Sequence, residues 1–350
     1  MAKKDTIDLT IPQAPKLVGI DCGTMNVVAA NTNDDGDVVT RSIRNMYLPL
    51  DKDGINLTDL SQLDYVESDD EIFIIGEDAF RFANIFAKEV KRPMQKGLIA
   101  ANNVDSMDVL ALIMEQLIGR TDNGICVYSV PAPSVDKEND ILFHENVFKR
   151  IFSELGYKAV PFNEAMGIVY SECTEDEHFT ALSFSYGAGM SNVALSYKGN
   201  QVLAFSCARG GDWIDESVAR QFGTVPNRVT SIKENNTNLT DYKQGSKKER
   251  LIREGIVYYY RNLISYTLDM IKTKLETELA NVDLPDALPI IVSGGTSKAT
   301  GFMDLFRAIV EDYDEFPFEI KEVRAAQDPL TAVAEGLLIK AISEYGEHNE

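Results

Sequence analysis

The sequence predicts a layered α/β fold made of two related halves, and three observations carry that expectation. Apolar runs bounded by Gly and Pro alternate with stretches of helical spacing, the order that gives a largely parallel sheet covered by helices. A strand, glycine turn, strand unit occurs at residues 17–32 and again at 179–197, about 160 residues apart, as a duplicated domain would leave it. A chain of 350 residues is long enough for two domains, each with its own core.

Residues 17–32, LVGIDCGTMNVVAANT, read as an apolar hairpin broken at Gly23-Thr24, and NDDGD at 33–37 supplies the next turn. EIFIIG at 71–76 is a short strand that passes into helical spacing through GEDAFRFANIF. Residues 104–118 are apolar at helical intervals and close near Gly119. A buried strand at 125–130 ends at Pro131 and Pro133, which cannot continue a hydrogen-bonded ladder. An amphipathic helix at 145–155 stops at Gly156, a short strand follows at 158–162, and a helix covers 164–173.

In the second half, 179–186 and 192–197 are apolar on either side of a GAGMS turn, and 212–222 is helical. Residues 235–248 are polar and charged and read as an exposed insertion. A long helix spans 249–278, with Gly255 a point of interruption. Residues 289–293 form a strand, Gly294-Gly295 a tight turn and 302–311 a helix. The last helix, 331–344, has no evident acceptor in the second half and is expected to pack elsewhere.

Composition excludes several classes of function. With 34 basic against 55 acidic residues, the net charge of −21 argues against sequence-independent binding of nucleic acid, which needs clustered Lys and Arg. The same charge repels identical subunits at low ionic strength, so self-assembly is expected to be helped by salt or divalent cations. Cys22, Cys126, Cys173 and Cys207 are scattered, without zinc spacing or a disulfide framework, and read as reduced cytosolic thiols. Residues 1–16 are polar, with Pro12 and Pro15, and resemble neither a signal peptide nor a membrane span. A cytoplasmic protein with no evident membrane contact is expected. His144, His178 and His348 lack ligand spacing, and the solitary Trp213 reads as a packing residue.

Four segments carry chemistry. Asp21-Cys22-Gly23-Thr24-Met25-Asn26 puts a carboxylate at a strand end beside a glycine turn. There, backbone N–H groups can cradle phosphate, the Thr hydroxyl can donate, and the carboxylate can hold hydrated magnesium. Alone, the hexapeptide reads equally well as a plain hairpin tip. Ser185-Tyr186-Gly187-Ala188-Gly189-Met190-Ser191-Asn192 offers a second loop of donors, with a glycine hairpin again the alternative. As a pair, the two turns would face one another across a cleft and clamp a triphosphate from both sides. Gly294-Gly295-Thr296 either lets backbone approach a flat ligand or makes a structural turn. Glu164, between a strand and a helix, either orients a water for attack on phosphate or serves the helix dipole.

These residues resemble a family. VGIDCGTMNVV is similar to the first phosphate loop of the actin superfamily and FSYGAGMSNVAL to its second. PFNEAMGIVY resembles the segment that holds the water-positioning carboxylate in DnaK-type chaperones and bacterial actins. IIVSGGTSKATGF looks like the adenosine turn, ARGGDWIDESVA like the segment before the ribose-contacting helix, and QDPLTAVAEGLLI like the final helix, which returns to the first domain. GEDAF and KRPMQKGLIAANNVDSM are similar to segments of the bacterial cytoskeletal actins MreB and MamK, and the chain length matches a bare filament-forming actin.

The resemblance implies an actin-like fold, two duplicated ribonuclease-H-like domains flanking a nucleotide cleft. It divides the chain into a polar tail (1–16), domain I (17–160, with a smaller subdomain inserted at about 33–90), domain II (161–330, with an insertion at about 212–285) and a C-terminal helix segment (331–350) returning to domain I. It implies a polymerising ATPase that binds ATP or ADP with Mg2+ and partners itself in filaments, with a cargo or adaptor protein as a further partner and no direct contact with nucleic acid. Asp21, Gly23, Thr24, Met25 and Asn26 would meet the phosphates and magnesium, Asp21 holding the ion through water. Gly187, Ala188, Gly189, Met190 and Ser191 would form the second loop, and Glu164 would position water. Gly294, Gly295 and Thr296 would lie against adenosine with Asp328 nearby, and Gly211, Asp212 and Lys233 would complete the nucleotide site.

The sequence also departs from the family. Ser185 stands where the second loop usually begins with Asp, Met190 where a Thr is usual, and Thr230 where the ribose helix carries a Glu three residues before its Lys. Loss of the Asp would slow hydrolysis by orders of magnitude while leaving binding largely intact. A catalytically weak, nucleotide-binding scaffold is therefore the alternative to an active filament ATPase. A small-molecule kinase of the same superfamily is disfavoured, because Ser185 occupies the place of its second catalytic Asp.

Overall fold

Strands β1 (Leu17–Cys22) and β2 (Asn26–Thr32) form the antiparallel hairpin expected from their apolar runs, with Asp21 opposite Val28. The NDDGD turn leads into β3 (Val38–Arg44), and Asn33 closes it by accepting the N–H groups of Asp35 and Asp37 at 3.0 and 2.8 Å. A small sheet of β4 (Tyr47–Asp51), β5 (Tyr65–Glu67) and β6 (Glu71–Ile75) follows, in the order β4-β6-β5. Next come α1 (Gly76–Phe86), the short hairpin β7 (Met94–Gln95) and β8 (Leu98–Ile99), and α2 (Ser106–Ile118). Then β9 (Gly124–Val130), α3 (Ile141–Glu154) and β10 (Tyr157–Asn163) complete a five-stranded sheet of order β10-β9-β1-β2-β3. In it β9 runs parallel to β1 and β10. The computed structural model describes residues 14–51, 63, 65–67, 71–86, 90–100, 105–136, 141–173, 178–243, 246–278, 284–313 and 316–346. Most of the N-terminal tail expected from the sequence, residue 104 and His348 lie outside them.

The second half repeats this topology. After α4 (Glu164–Glu172) come β11 (Ala181–Tyr186), β12 (Ser191–Tyr197) and β13 (Asn200–Cys207), then α5 (Gly211–Phe222), α6 (Pro226–Asn236) and α7 (Lys247–Glu278). Strand β14 (Ala287–Ser293), a single 3₁₀ turn at Gly295–Lys298, α8 (Phe302–Glu311), β15 (Glu319–Ala325) and α9 (Ala332–Tyr345) close the chain. The sheet order is β13-β12-β11-β14-β15: an antiparallel three-strand meander, then two strands parallel to its first member. The first sheet is built the same way, which is the duplication the sequence suggested.

Two expectations need correction. Residues 235–248 are not simply an exposed insertion: α6 runs through Asn236, Leu239 is buried, and the Leu239 N–H donates to the Thr300 carbonyl at 2.8 Å. The polar sequence hid one apolar anchor. Gly255 does not interrupt the long helix, because the Phe222 ring occupies the space a side chain would need and packing holds the helix across the glycine. Strands β3 and β15, VVTRSIR and EIKEVRA, were not visible as strands, since both are sheet edges with no fully buried residue.

Helices α4 and α9 lie between the two sheets. Val127 of β9, Ile168 and Val169 of α4, Ala181 of β11, Ile291 of β14, and Val333 and Leu337 of α9 make one buried cluster that takes residues from both. The two helices touch through backbone: a Cβ built on Gly336 would collide with the Gly167 carbonyl, whereas one built on Gly167 would sit 3.1 Å from the Val333 carbonyl oxygen. Gly336→Ala is therefore expected to destabilise the protein by about 2–3 kcal/mol through overpacking. Gly167→Ala should be near neutral, since the gain in helix propensity of about 1 kcal/mol offsets a mild contact. Urea unfolding of the two variants checks this asymmetry.

Candidate functional site

The chemistry-bearing segments converge on one cavity of about 270 Å³, lined from both sheets. On the first side, β1 ends at Asp21, whose Oδ1 accepts the Ser129 hydroxyl at 3.0 Å, while Ser129 Oγ also accepts the Cys22 N–H at 2.8 Å. This cross-strand lock to β9 fixes the carboxylate. The turn that follows is braced by Asn45, whose side-chain amide donates to the Gly23 carbonyl at 2.9 Å and whose N–H donates to the Met25 carbonyl at 2.7 Å. Thr24 Oγ1 accepts the Gly97 N–H at 3.1 Å, so the β7–β8 hairpin lies over the loop.

On the second side, the turn between β11 and β12 is closed by the Gly187 N–H to the Met190 carbonyl at 3.0 Å. Its outward carbonyls are taken up by α5 and the 3₁₀ turn: Gly187 O accepts the Gly211 N–H at 3.0 Å and the Thr296 hydroxyl at 2.8 Å, and Ala188 O accepts the Asp212 N–H at 2.8 Å. The N–H groups of Ala188 and Gly189 have no hydrogen-bond partner among the described residues. An anion placed there would satisfy them.

Glu164 is the first residue of α4, where Asn163 caps the helix by accepting the Met166 N–H at 3.1 Å. Both of its oxygens are held: Oε1 accepts the Ser185 hydroxyl at 2.7 Å and Oε2 the Asn192 side-chain amide at 2.9 Å. Burial raises the Glu164 carboxyl above its ordinary range, and those two hydrogen bonds pull it part of the way back. Asp21 is pushed up to about 8, first by burial and then by the nearby charge of Glu164, against the hydrogen bond from Ser129. Two partly buried carboxyls with hard oxygen donors repel one another here, and a divalent cation would relieve both desolvation and repulsion. The residues therefore fit magnesium, which Asp21 would hold through water. Among the described residues no cluster of three His, Cys, Asp or Glu side chains could hold a metal on its own.

The α5–α6 side of the cavity is organised by a buried ion pair. Lys233 on α6 donates to Asp215 Oδ2 at 2.7 Å and to the Gly211 carbonyl at 3.0 Å, and the Thr230 hydroxyl donates to the same Asp215 oxygen at 2.7 Å. Thr230 thus joins the ion pair from the position where the family's Glu would stand. Burial raises the Asp215 carboxyl, and Lys233 and Thr230 partly offset it. Asp212 turns instead to Arg92, whose Nη1 donates to both carboxylate oxygens at 3.0 and 2.9 Å. Gly294 adopts φ 93°, which a side chain would strain, and donates its N–H to the Pro329 carbonyl at 2.9 Å.

Of the residues singled out from sequence, Asp21, Gly23, Thr24, Met25, Asn26, Glu164, Gly187, Ala188, Gly189, Met190, Gly211, Asp212, Lys233, Gly294, Gly295 and Thr296 line the cavity. Ser191 and Asp328 do not. Ser191 donates to the Arg209 carbonyl at 2.8 Å, and the Asp328 carboxylate accepts the Leu330 N–H at 2.9 Å ahead of α9. Sequence reading missed Arg44, Gly97, Lys298, Pro329 and Leu330, which also line it. Gly97, Lys298, Pro329 and Leu330 sit within the KRPMQKGLIAANNVDSM, IIVSGGTSKATGF and QDPLTAVAEGLLI segments and were open to recognition, whereas Arg44 reaches the cavity through tertiary contacts that carry no local signal.

Two outcomes follow. Asp21 has a folded pKa above its ordinary value of 3.8, so its favourable share of stability is present below about pH 4 and is lost as pH rises through about 8. Asp21→Asn should therefore raise the melting temperature of nucleotide-free protein at pH 8 by about 2 °C or more, with the gain vanishing near pH 4. Differential scanning fluorimetry across pH reads it. Lys233→Ala leaves Asp215 buried without its counter-charge and should cost about 3–5 kcal/mol in denaturant unfolding.

The volactin sequence family matches residues 17–341 of the chain. No characterised protein sequence matches it significantly. Among solved structures it is similar to MreB5 of Spiroplasma citri bound to ADP, with 17% identity, TM-score 0.66, and coverage of 95% of this chain and 98% of that one. It is also similar to MamK as a double helical filament, with 15% identity, TM-score 0.64 and coverage of 93% and 98%. The ethanolamine utilization protein EutJ from Carboxydothermus hydrogenoformans matches with 14% identity, TM-score 0.53 and coverage of 94% and 92%. At these identities the likeness establishes the fold, two α/β halves facing across a cleft as in the actin-like proteins. The chain belongs to the volactin family and has an actin-like fold.

Proposed function

We propose that this protein binds ATP with magnesium in the cavity between its two sheets, assembles into cytoplasmic filaments and hydrolyses the nucleotide slowly. The observation that carries this reading is the pairing of two glycine turns, one from each sheet, around a pair of partly buried carboxyls in a single cavity. The free N–H groups of Ala188 and Gly189 suit phosphate oxygens, and the Thr24 hydroxyl, an acceptor toward Gly97, still has its own proton to donate. The open space at Gly295, where an added side-chain carbon would meet nothing within 4 Å, suits an adenine ring. The similarity to MreB5 bound to ADP and to MamK in a double helical filament supports nucleotide and self-association as ligand and partner.

In the hydrolytic step, Glu164 accepts a proton from a water molecule as its oxygen bonds to the γ-phosphorus and the bond to the β–γ bridging oxygen breaks, releasing ADP and phosphate. Bound magnesium supplies positive charge to the phosphate oxygens. Asp21 orients that charge, and the second loop holds the phosphates in line. With residues 17–160 and 161–330 as two jaws, nucleotide between them favours the closed arrangement, in which Arg92 meets Asp212 across the cleft. Ser185 in place of an acid favours slow turnover. A static nucleotide-binding scaffold is the second reading, on the same observation.

Sedimentation with ATP and magnesium, with ADP and without nucleotide, over a range of salt, tests the proposal. Pelleting that depends on ATP and increases with salt or divalent cation, as a chain of charge −21 requires, is the expected outcome. A monomer under every condition sinks it. Phosphate release should fall by about 10²-fold or more in Glu164→Ala, and release that is unchanged by this substitution identifies the static scaffold.

A further inference from the structure

Ser185 and Asn192 are partners directly across the β11–β12 ladder, one rung back from the Tyr186–Ser191 pair that borders the turn carrying the Ala188 and Gly189 N–H groups. Their side chains rise on the same face and take one Glu164 oxygen each, Ser185 at 2.7 Å and Asn192 at 2.9 Å. Both are buried. The Asn192 amide is itself oriented from the first half of the chain, because its Oδ1 accepts the Ala132 N–H at 3.3 Å, which leaves its NH2 to face Glu164. Ser185 has a single proton, and it is committed to Glu164.

We propose that Ser185 and Asn192 are positioning residues that form a neutral two-donor fork, holding the Glu164 carboxylate in register with the second phosphate loop for attack of water on the γ-phosphate. This deepens the nucleotide reading and rests on it. A Glu at the first position of a helix has free side-chain torsions, and a single hydrogen bond would leave it a cone of orientations. Two donors on the rigid rungs of one hairpin remove that freedom before substrate arrives. Neutral donors are essential to the device. A carboxylate at either position has no proton to give at neutral pH and would repel Glu164 across the same distance. Each Glu164 oxygen keeps a further lone pair for the water it orients and deprotonates. The departure from the family pattern at position 185 thereby exchanges an acid for a hydroxyl that aims the base.

The test is single-turnover ATP hydrolysis together with nucleotide affinity, in Ser185→Ala, in the near-isosteric Asn192→Asp, and in each combined with Glu164→Gln. Asn192→Asp keeps the acceptor for Ala132 and removes the donor, so it remains informative if Ser185→Ala folds poorly. Each single variant is expected to lose about 10-fold or more in hydrolysis rate while ADP affinity stays within roughly threefold. In the Glu164→Gln background the same changes should alter the rate by less than about twofold, because they act through that carboxylate. Rates unchanged in the single variants, or equal losses with and without Glu164, overturn the fork while leaving nucleotide binding intact. An unsubstituted chain that binds ADP yet releases no phosphate above background overturns it as well. Failure of the unsubstituted chain to bind ADP or ATP overturns the nucleotide reading along with it.

Discussion

The contact on which the rest of this structure depends is the one between the backbones of α4 and α9, at Gly167 and Gly336. Each helix has a sheet to cover, and each takes part in a cluster that includes Val127 from the first sheet and Ile291 from the second. A side chain at Gly336 would push the helices apart, and with them the two sheets. Gly19 on β1 meets the α9 backbone just as closely, at the Ala334 carbonyl and the Leu338 N–H. Small residues at three points thus set the spacing of a central layer, where dense packing leaves little room for adjustment.

That spacing has chemical consequences. Glu164 is the first residue of α4 and Asp21 lies on β1, so the distance between sheet and helix also sets the distance between the two carboxyls. Loss of solvent first, and the nearby charge of Glu164 second, push the Asp21 carboxyl up to about 8. The fold therefore stores an electrostatic cost in its cleft that a cation relieves. The same cleft is spanned by a charged tie from Arg92 to Asp212, while Gly97 to Thr24 fastens the β7–β8 hairpin over the first loop. A carboxylate expected to serve the nucleotide is instead engaged by an arginine of the opposite half, so Asp212 contributes to closure of the site as well as to its wall.

What the sequence made legible divides along physical lines. Buried parallel strands such as β9 and β14 stand out because both faces are apolar. Hairpins that carry a glycine turn stand out because the turn chemistry is local. Edge strands β3 and β15 do not, since none of their residues is fully buried and their only strand-forming partner is on one side. The start of α3 was placed four residues late because Leu142 is exposed, 72%, and breaks the apolar spacing there. In the site, residues on the phosphate turns were legible because glycine and a following hydroxyl announce them. Arg44 was not, as it lies at the end of an exposed edge strand whose sequence does not say where its side chain will end up. Ser191 and Asp328 had the right chemistry in the right segments, yet Ser191 donates to the Arg209 carbonyl beyond β13 and Asp328 accepts the N–H of Leu330, two residues on. A short polar side chain beside its own main chain often satisfies that main chain first.

Ser185 shows why a departure from a family pattern has to be weighed in three dimensions. Taken along the chain, the absence of an acid at this position subtracts a magnesium anchor. In the folded protein its hydroxyl lies against Glu164, opposite Asn192, in a pocket that already holds two carboxyls. A third acid there would raise the electrostatic cost of the cleft further, and a hydroxyl lowers it. The substitution trades direct help to the metal for control over the base, and it does so where burial makes unpaired charge most expensive. On the proposed reading, nucleotide binding and turnover would depend on different parts of the cavity: the N–H cradle and Asp21 would serve the first, and the orientation of one carboxylate by two neutral side chains the second.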